Sequence, residues 1–386
     1  MLPRSGGDYN YLRRAYGPAT AFAAGWLQLL AIYPGSLASM AVAAATFQLP
    51  ALLGEQWSEP VTWLGVAVSR PHLHATLIIV GLTALNHIGV RVSGRVQVLV
   101  TSVPIVVLTV TAVWVLAGGP AHAVPLPDLA WEGSAGWPGF EALALAYLPI
   151  YFAYSGWNTA IYVAGEIRAP ARNLPRALAG GTALVTALYL LLCAGFVAVF
   201  GLPGLAGVGE AGTAAAMKLF GGEARRVVAA LLLLAMLGSL NATVMAGSRI
   251  GYAMALQRDY PVVGGRLHPR FGTPVVALWG QAALAIGLLA TGSGLDRLIE
   301  YTSTAMLVTG TLAVFAVVLL RRRAPGLPRP FRTWWFPWSP LIYVSSSCAV
   351  LGLALVSRRG SDPSIYLAVV WFALAFALHR LIRRWR

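Results

Sequence analysis

Ten stretches of about 20 or more mostly apolar residues run through this chain and carry few charges. Their approximate limits are residues 15–50, 73–90, 96–118, 138–165, 177–200, 227–256, 274–292, 298–320, 337–357 and 364–383. Stretches of this length suit a hydrocarbon core of about 30 Å. Inside lipid each must satisfy its own backbone N–H and C=O groups, so each reads as a helix. A soluble fold is excluded, because only 11% of the residues are charged and soluble domains carry about 25%. The predicted fold class is an all-α polytopic membrane protein, one membrane domain over residues 1–386. Cys193 and Cys348 both lie in apolar runs, which excludes a disulfide scaffold.

The net charge of +15 becomes informative once it is laid against the spans. The first stretch is broken by Pro34-Gly35 and reads as one long tilted helix or as two short ones. As one helix, it gives ten spans with both termini on one side, and that side holds 21 of the 28 basic residues. As two, every later loop changes sides and the count falls to 10 against 18. Positive residues concentrate on the cytoplasmic side, so a single first helix is expected, with both termini cytoplasmic and residues 1–14 a cytoplasmic loop. Among the acids only Asp8, Glu166 and Asp259 fall on that side. The basic excess is therefore a topology signal, and no aromatic–basic pattern for nucleic acid accompanies it. Near anionic lipid, Arg321-Arg322-Arg323 would also hold the chain to the membrane.

The fourth stretch carries the most chemistry. Tyr151, Tyr154, Ser155, Asn158 and Tyr162 share one helical face near mid-bilayer, where unpartnered polar groups are costly. Ser155-Gly156 is the weakest helix-forming pair there, and Pro149 precedes it. Two readings stand: a helix that unwinds to offer peptide groups to an ion or zwitterion, or a kinked helix whose stripe bonds its neighbours. Ser239 and Thr243 share a face of the sixth stretch, beside Asn241 and Ser248, and could line a cavity or join helices. Glu300 and His87 read as interfacial groups. No metal-ligand cluster, nucleophile–base pattern or phosphate loop is present, so no cofactor, metal or catalysis is expected.

Phe152-Ala153-Tyr154-Ser155-Gly156-Trp157-Asn158, followed by Glu166-Ile167-Arg168 and Arg172-Asn173-Leu174-Pro175, resembles helix 6 and the next loop of amino acid permeases. The family is the amino acid–polyamine–organocation (APC) superfamily, in its L-type amino acid transporter-like branch. Pro3-Arg4-Ser5-Gly6-Gly7-Asp8-Tyr9, Tyr33-Pro34-Gly35-Ser36, Ser239-Leu240-Asn241-Ala242 and the run His268 to Pro274 agree in order and spacing.

The resemblance implies the APC fold, a five-plus-five inverted repeat whose helices 1 and 6 are broken at mid-membrane. It implies that the ten spans correspond to family helices 3–12, the fold being incomplete without helices 1 and 2. Residues 15–320 would then be the transport core, and residues 337–383 the two C-terminal helices. A wide cleft is expected beside residues 150–160. The implied function is secondary active transport of amino acids across the plasma membrane by alternating access. The alternative is an N-terminally truncated, inactive remnant or membrane scaffold, to be separated from a misassigned start by the preceding DNA. The implied substrate-binding residues are Phe152, Tyr154, Ser155, Gly156, Trp157, Asn158, Ser239 and Asn241. Phe152 would be an aromatic gate, and Ser155, Gly156 and Trp157 the turn that accepts the ammonium group. Asn158 would start the second half-helix. The lysine that many relatives carry on helix 5 is matched here by Pro104, which leaves proton symport and exchange both open. The implied partners are an amino acid substrate and the bilayer, with no disulfide-linked subunit, because residues 51–72 contain no cysteine.

Overall fold

The first apolar stretch is one continuous helix. The computed structural model describes residues 6–57, 59–63, 66–117, 139–327, 329, 331–357 and 364–384. After a short helix α1 (Asp8–Tyr16), α2 runs unbroken over Pro18–Leu53. It survives its prolines by widening ahead of them. π-helical turns occupy Gln28–Ile32 and Ala44–Gln48, and each is followed two residues later by a proline, Pro34 and Pro50. A proline cannot donate to the carbonyl four residues back and its ring presses on that group; a wide turn just before it relieves the crowding. Of the two readings of this stretch, the single helix is the one observed.

The remaining elements follow the expected order. They are α3 (Arg70–His87), α4 (Val90–Leu116), α5 (Phe140–Ala153), α6 (Thr159–Tyr162), α7 (Pro170–Leu205), α8 (Ala211–Phe220), α9 (Ala224–Leu256), α10 (Val275–Ala290), α11 (Leu295–Arg323), α12 (Trp338–Ser357) and α13 (Ser364–Arg384). Among the described residues six helices, including α2, α7, α9 and α11, contain segments long and apolar enough to cross a bilayer alone. Two features depart from the expected pattern. The loop between α2 and α3 contains a small antiparallel hairpin, β1 (Val61–Trp63) with β2 (Val66–Val68). The loop before α9 contains α8, whose first turn is capped by the Glu210 carboxylate accepting from the N–H groups of Gly212 and Thr213. Of the motif at residues 3–9, residues 3–5 lie outside the described residues, as do residues 118–138.

α2 is the axis of the bundle. Leu37, Ala38, Ala41 and Ala45 pack against Ile79 of α3, Leu240 and Val244 of α9, and Leu278 and Ala282 of α10. Nearer its start, Leu27 and Ala31 pack with Tyr9, Tyr162, Ile250, Met254 and Ala305. Between membrane helices, association rests on close packing, which small residues permit. At Gly247 of α9 an added Cβ would come within 2.7 Å of the Tyr33 ring, and at Gly35 it would collide with Thr302.

Loops assigned to one side by charge do gather at one end. Arg13 pairs with Asp259 at 2.8 Å, the Arg323 guanidinium donates to the Ala15 carbonyl, and Thr273 donates to the carbonyl of His87. At the opposite end Lys218 donates to the carbonyl of Val199.

Candidate functional site

The fourth stretch stops being a helix where its sequence is weakest. α5 ends at Ala153, Tyr154–Asn158 form a turn, and α6 begins at Thr159. Gly156 has φ +86, a left-handed conformation that a side chain makes costly. Short bonds hold the turn: Ser155 N–H to the Phe152 carbonyl and Thr159 N–H to the Gly156 carbonyl, both 2.9 Å. The carbonyl of Ala153 would accept from Trp157 in a continuous helix. It accepts instead from the Tyr189 hydroxyl of α7, at 2.7 Å, and the Tyr189 ring stands edge-on to Tyr154 at 4.9 Å.

Exposure within the turn is uneven. Gly156 is open and Trp157 is 51% exposed, while Phe152, Tyr154, Ser155 and Asn158 are half-buried. Gly156 and Trp157 are thus the surface positions of the turn. The polar stripe, however, is largely partnered by protein. The Tyr151 hydroxyl meets that of Tyr343 at 2.8 Å, and Asn158 and Tyr162 both turn toward α1. Each of the two readings of this stretch therefore describes part of it: the helix is interrupted, and most of its stripe bonds neighbours.

Asn158 and Tyr162 reach a residue that the sequence did not single out as functional. Tyr162 donates to Asp8 Oδ2 at 2.7 Å and the Asn158 amide donates to the same oxygen at 3.3 Å. Gln28, in the first π turn of α2, joins them by accepting from Tyr162 at 3.3 Å. Asp8 is only 7% exposed. Burial pushes its carboxyl above the ordinary carboxylate range, opposed by the hydrogen bonds from Tyr162 and Asn158. Gly6 and Gly7 shape this contact. The Gly6 N–H donates to the Tyr162 carbonyl, and a side chain on Gly7 (φ +47) would strike the Tyr162 ring. The available signal was an acid directly after two glycines, in an otherwise apolar and basic neighbourhood.

The residues expected on α9 lie apart from the turn in their bonding. Asn241, 2% exposed, accepts from Asn86 of α3 at 2.7 Å and from Ser93 of α4 at 3.0 Å, and donates to Gln97 at 2.9 Å. Ser239 is exposed, and its carbonyl accepts from Thr243. His87 is held among rings, accepting from the Trp279 indole at 3.1 Å beside His268 and Phe271. Among the described residues no group of three or more His, Cys, Asp or Glu is placed to hold a metal ion.

An interrupted span whose turn is exposed at Gly156 and Trp157 suits a small solute bearing an ammonium group, because carbonyls attract it. Sequence relationships point the same way. Residues 1–374 match the family described as amino acid permease. The serine/threonine exchanger SteT of Bacillus subtilis (strain 168) is 29% identical over 363 residues, covering 92% of this chain and 78% of the exchanger. The large neutral amino acids transporter small subunit 2 of Homo sapiens is 28% identical, over 96% of this chain and 69% of its own length. The Asc-type amino acid transporter 1 of Mus musculus is 27% identical, over 100% and 73%.

Proposed function

We propose the function of this chain from one premise: it belongs to the amino acid permease family. It is a multi-pass membrane transporter of amino acids and not an enzyme. Beyond that, we infer that it works by alternating access, holding the substrate at the turn Tyr154–Asn158. The observation that carries this reading is the interruption of the span between Ala153 and Thr159, with Gly156 in a left-handed conformation. Carbonyls of the turn supply the ammonium contacts, and Ser155, Gly156 and Trp157 form the receiving turn. Phe152 lies one turn before it and closes over the bound solute; Tyr154 walls the site against Tyr189. Asn158 opens the inner half-helix. Ser239 is exposed on α9 and remains open to a lining role, whereas Asn241 supports the site by fixing α9 to α3 and α4.

The chain sits in the plasma membrane with its arginine-rich end cytoplasmic, as charge bias across the spans supports. One relative is named a small subunit. This chain has no cysteine in residues 51–72, which supports function without a disulfide-bonded partner. Relatives named for serine/threonine and for large neutral amino acids make those the first substrates to try. In proteoliposomes the protein takes up or exchanges such radiolabelled amino acids, and Ser155→Phe abolishes this while the protein still inserts. Unchanged uptake by Ser155→Phe would refute the site.

A further inference from the structure

The joint between α1 and α6 contains a buried acid that pairs with no cation among the described residues. Asp8 receives only neutral donors, the Tyr162 phenol and the Asn158 amide, and both reach Oδ2. Among the described residues it forms no ion pair. The nearby cations are engaged elsewhere: Arg13 of α1 pairs with Asp259, and Arg249 of α9 donates to the Met245 carbonyl and the Ser248 hydroxyl. Among the described residues the other titratable groups around Asp8 are tyrosines, neutral near pH 7. They are Tyr11 on α1, Tyr33 on α2 and Tyr162 on α6, with Tyr151 of α5 and Tyr343 of α12 farther off. A carboxylate withdrawn from water and left without a counter-charge is costly, and taking up a proton removes the cost.

The position of this acid links it to the substrate turn. Asn158 is the last residue of the turn and Tyr162 the last of α6, so the inner half of the interrupted span is tied to the loop ahead of α2 through one carboxyl oxygen. We propose that Asp8 is a protonation-controlled latch of this permease, holding α6 through Tyr162 and Asn158, binding a proton as the latch closes and releasing it as the latch opens. The proton passes between water at the arginine-rich end and Oδ1, the oxygen that Tyr162 and Asn158 leave unused. This deepens the alternating-access reading and rests on it in taking α6 as a moving part.

The sign of the pH effect follows from burial. In the closed latch the carboxyl is held above its ordinary value of 3.8, and in the open one water returns it toward that value. The closed state therefore binds more protons. Its advantage is full in acid and declines as pH rises from about 4 through the raised value. Each unit by which the two values differ changes the closed-to-open ratio about tenfold.

Hydrogen–deuterium exchange of the full chain in proteoliposomes, between pH 5 and 8 and corrected for intrinsic exchange, tests this. Protection of residues 154–166 in the wild-type chain falls with rising pH, about tenfold for each unit by which the two values differ, and in Asp8→Asn it stays high and flat. Tyr162→Phe removes a donor that favours the ionised form and moves the inflection to higher pH. A flat wild-type profile overturns the proposal without any variant, and so does an Asp8→Asn profile that follows wild type. Amino acid uptake in the same vesicles separates the two readings. Titrating protection without uptake removes the transport reading and leaves the latch; uptake with flat protection removes the latch alone.

Discussion

The Tyr189 phenol occupies the Ala153 carbonyl at 2.7 Å, so the end of α5 is completed by a residue of α7 rather than by its own next turn. A helix end in lipid must find such a partner, since no water is there to serve. The interruption is thus held from outside as well as permitted by Gly156.

Tyr189→Phe removes that partner and keeps the ring. A net loss of about 1 kcal/mol, typical of one hydrogen bond, corresponds to about a fivefold change in equilibrium. Uptake kinetics with the protein reconstituted at equal density should show KM raised by about that factor, with the ring contact to Tyr154 preserved.

Gly156→Ala probes the backbone by itself. An added Cβ would meet only Thr159 Oγ1 at 3.6 Å, so there is room for it; the obstacle is φ +86. The left-handed conformation costs a non-glycine residue about 1–2 kcal/mol. Uptake should fall about tenfold while membrane insertion is unchanged. Wild-type uptake would show that the turn does not need this conformation.

Asn241→Leu should act on stability and spare substrate affinity. It takes one acceptor from Asn86 Nδ2, which keeps its bond to the Leu82 carbonyl, and takes the Asn241 donor from Gln97 Oε1. Polar contacts between membrane helices are worth about 0.6–2 kcal/mol each. Thermal unfolding in detergent should show a lower midpoint, and uptake by the surviving protein an unaltered KM.

Asp259→Asn leaves two donors facing a weaker acceptor. Tyr9 donates to Asp259 Oδ2 at 2.6 Å and Arg13 donates to it at 2.8 Å. Burial and this carboxylate also hold the Tyr9 phenol above its ordinary pKa. Charge-assisted bonds are worth about 1.5–3 kcal/mol, and the pair is partly exposed, so a destabilisation near the low end is expected from denaturation curves.

Orientation can be read with impermeant maleimide after Cys193 and Cys348 are changed to serine. Gly209→Cys, at the end bearing Lys218, should label in intact cells. Arg266→Cys, at the arginine-rich end, should label only after permeabilisation. The reverse pattern would invert the assigned topology.

Much of this was written locally. The spans are runs of apolar residues, and Ser155-Gly156 marks the interruption without any knowledge of neighbours. The single first helix was legible through charge counting. The π turns that let Pro34 and Pro50 sit inside it were not, because they answer packing as well as sequence. Nor were the partners of polar residues. Asn158 meets Asp8 across 150 positions and Asn241 meets Asn86 across 155, and which face each residue turns inward is decided by helices far off in the chain. The short pairing of Val61–Trp63 with Val66–Val68 and the helix Ala211–Phe220 sit outside the apolar runs, where hydropathy has no say.

The two wide turns of α2 have a rotational consequence. Each holds one residue more than a regular coil would, and one residue is about 100° of rotation. Between Leu27 and Leu49 the side chains are therefore dealt to different compass bearings than a straight rod would give them. Deleting that extra residue from either turn would restore a regular coil and keep the faces beyond it in place, whereas winding all the present residues regularly would swing Tyr33 and Pro34, or everything past Leu49, away from their neighbours. The central rod of this bundle is phased by its irregularities.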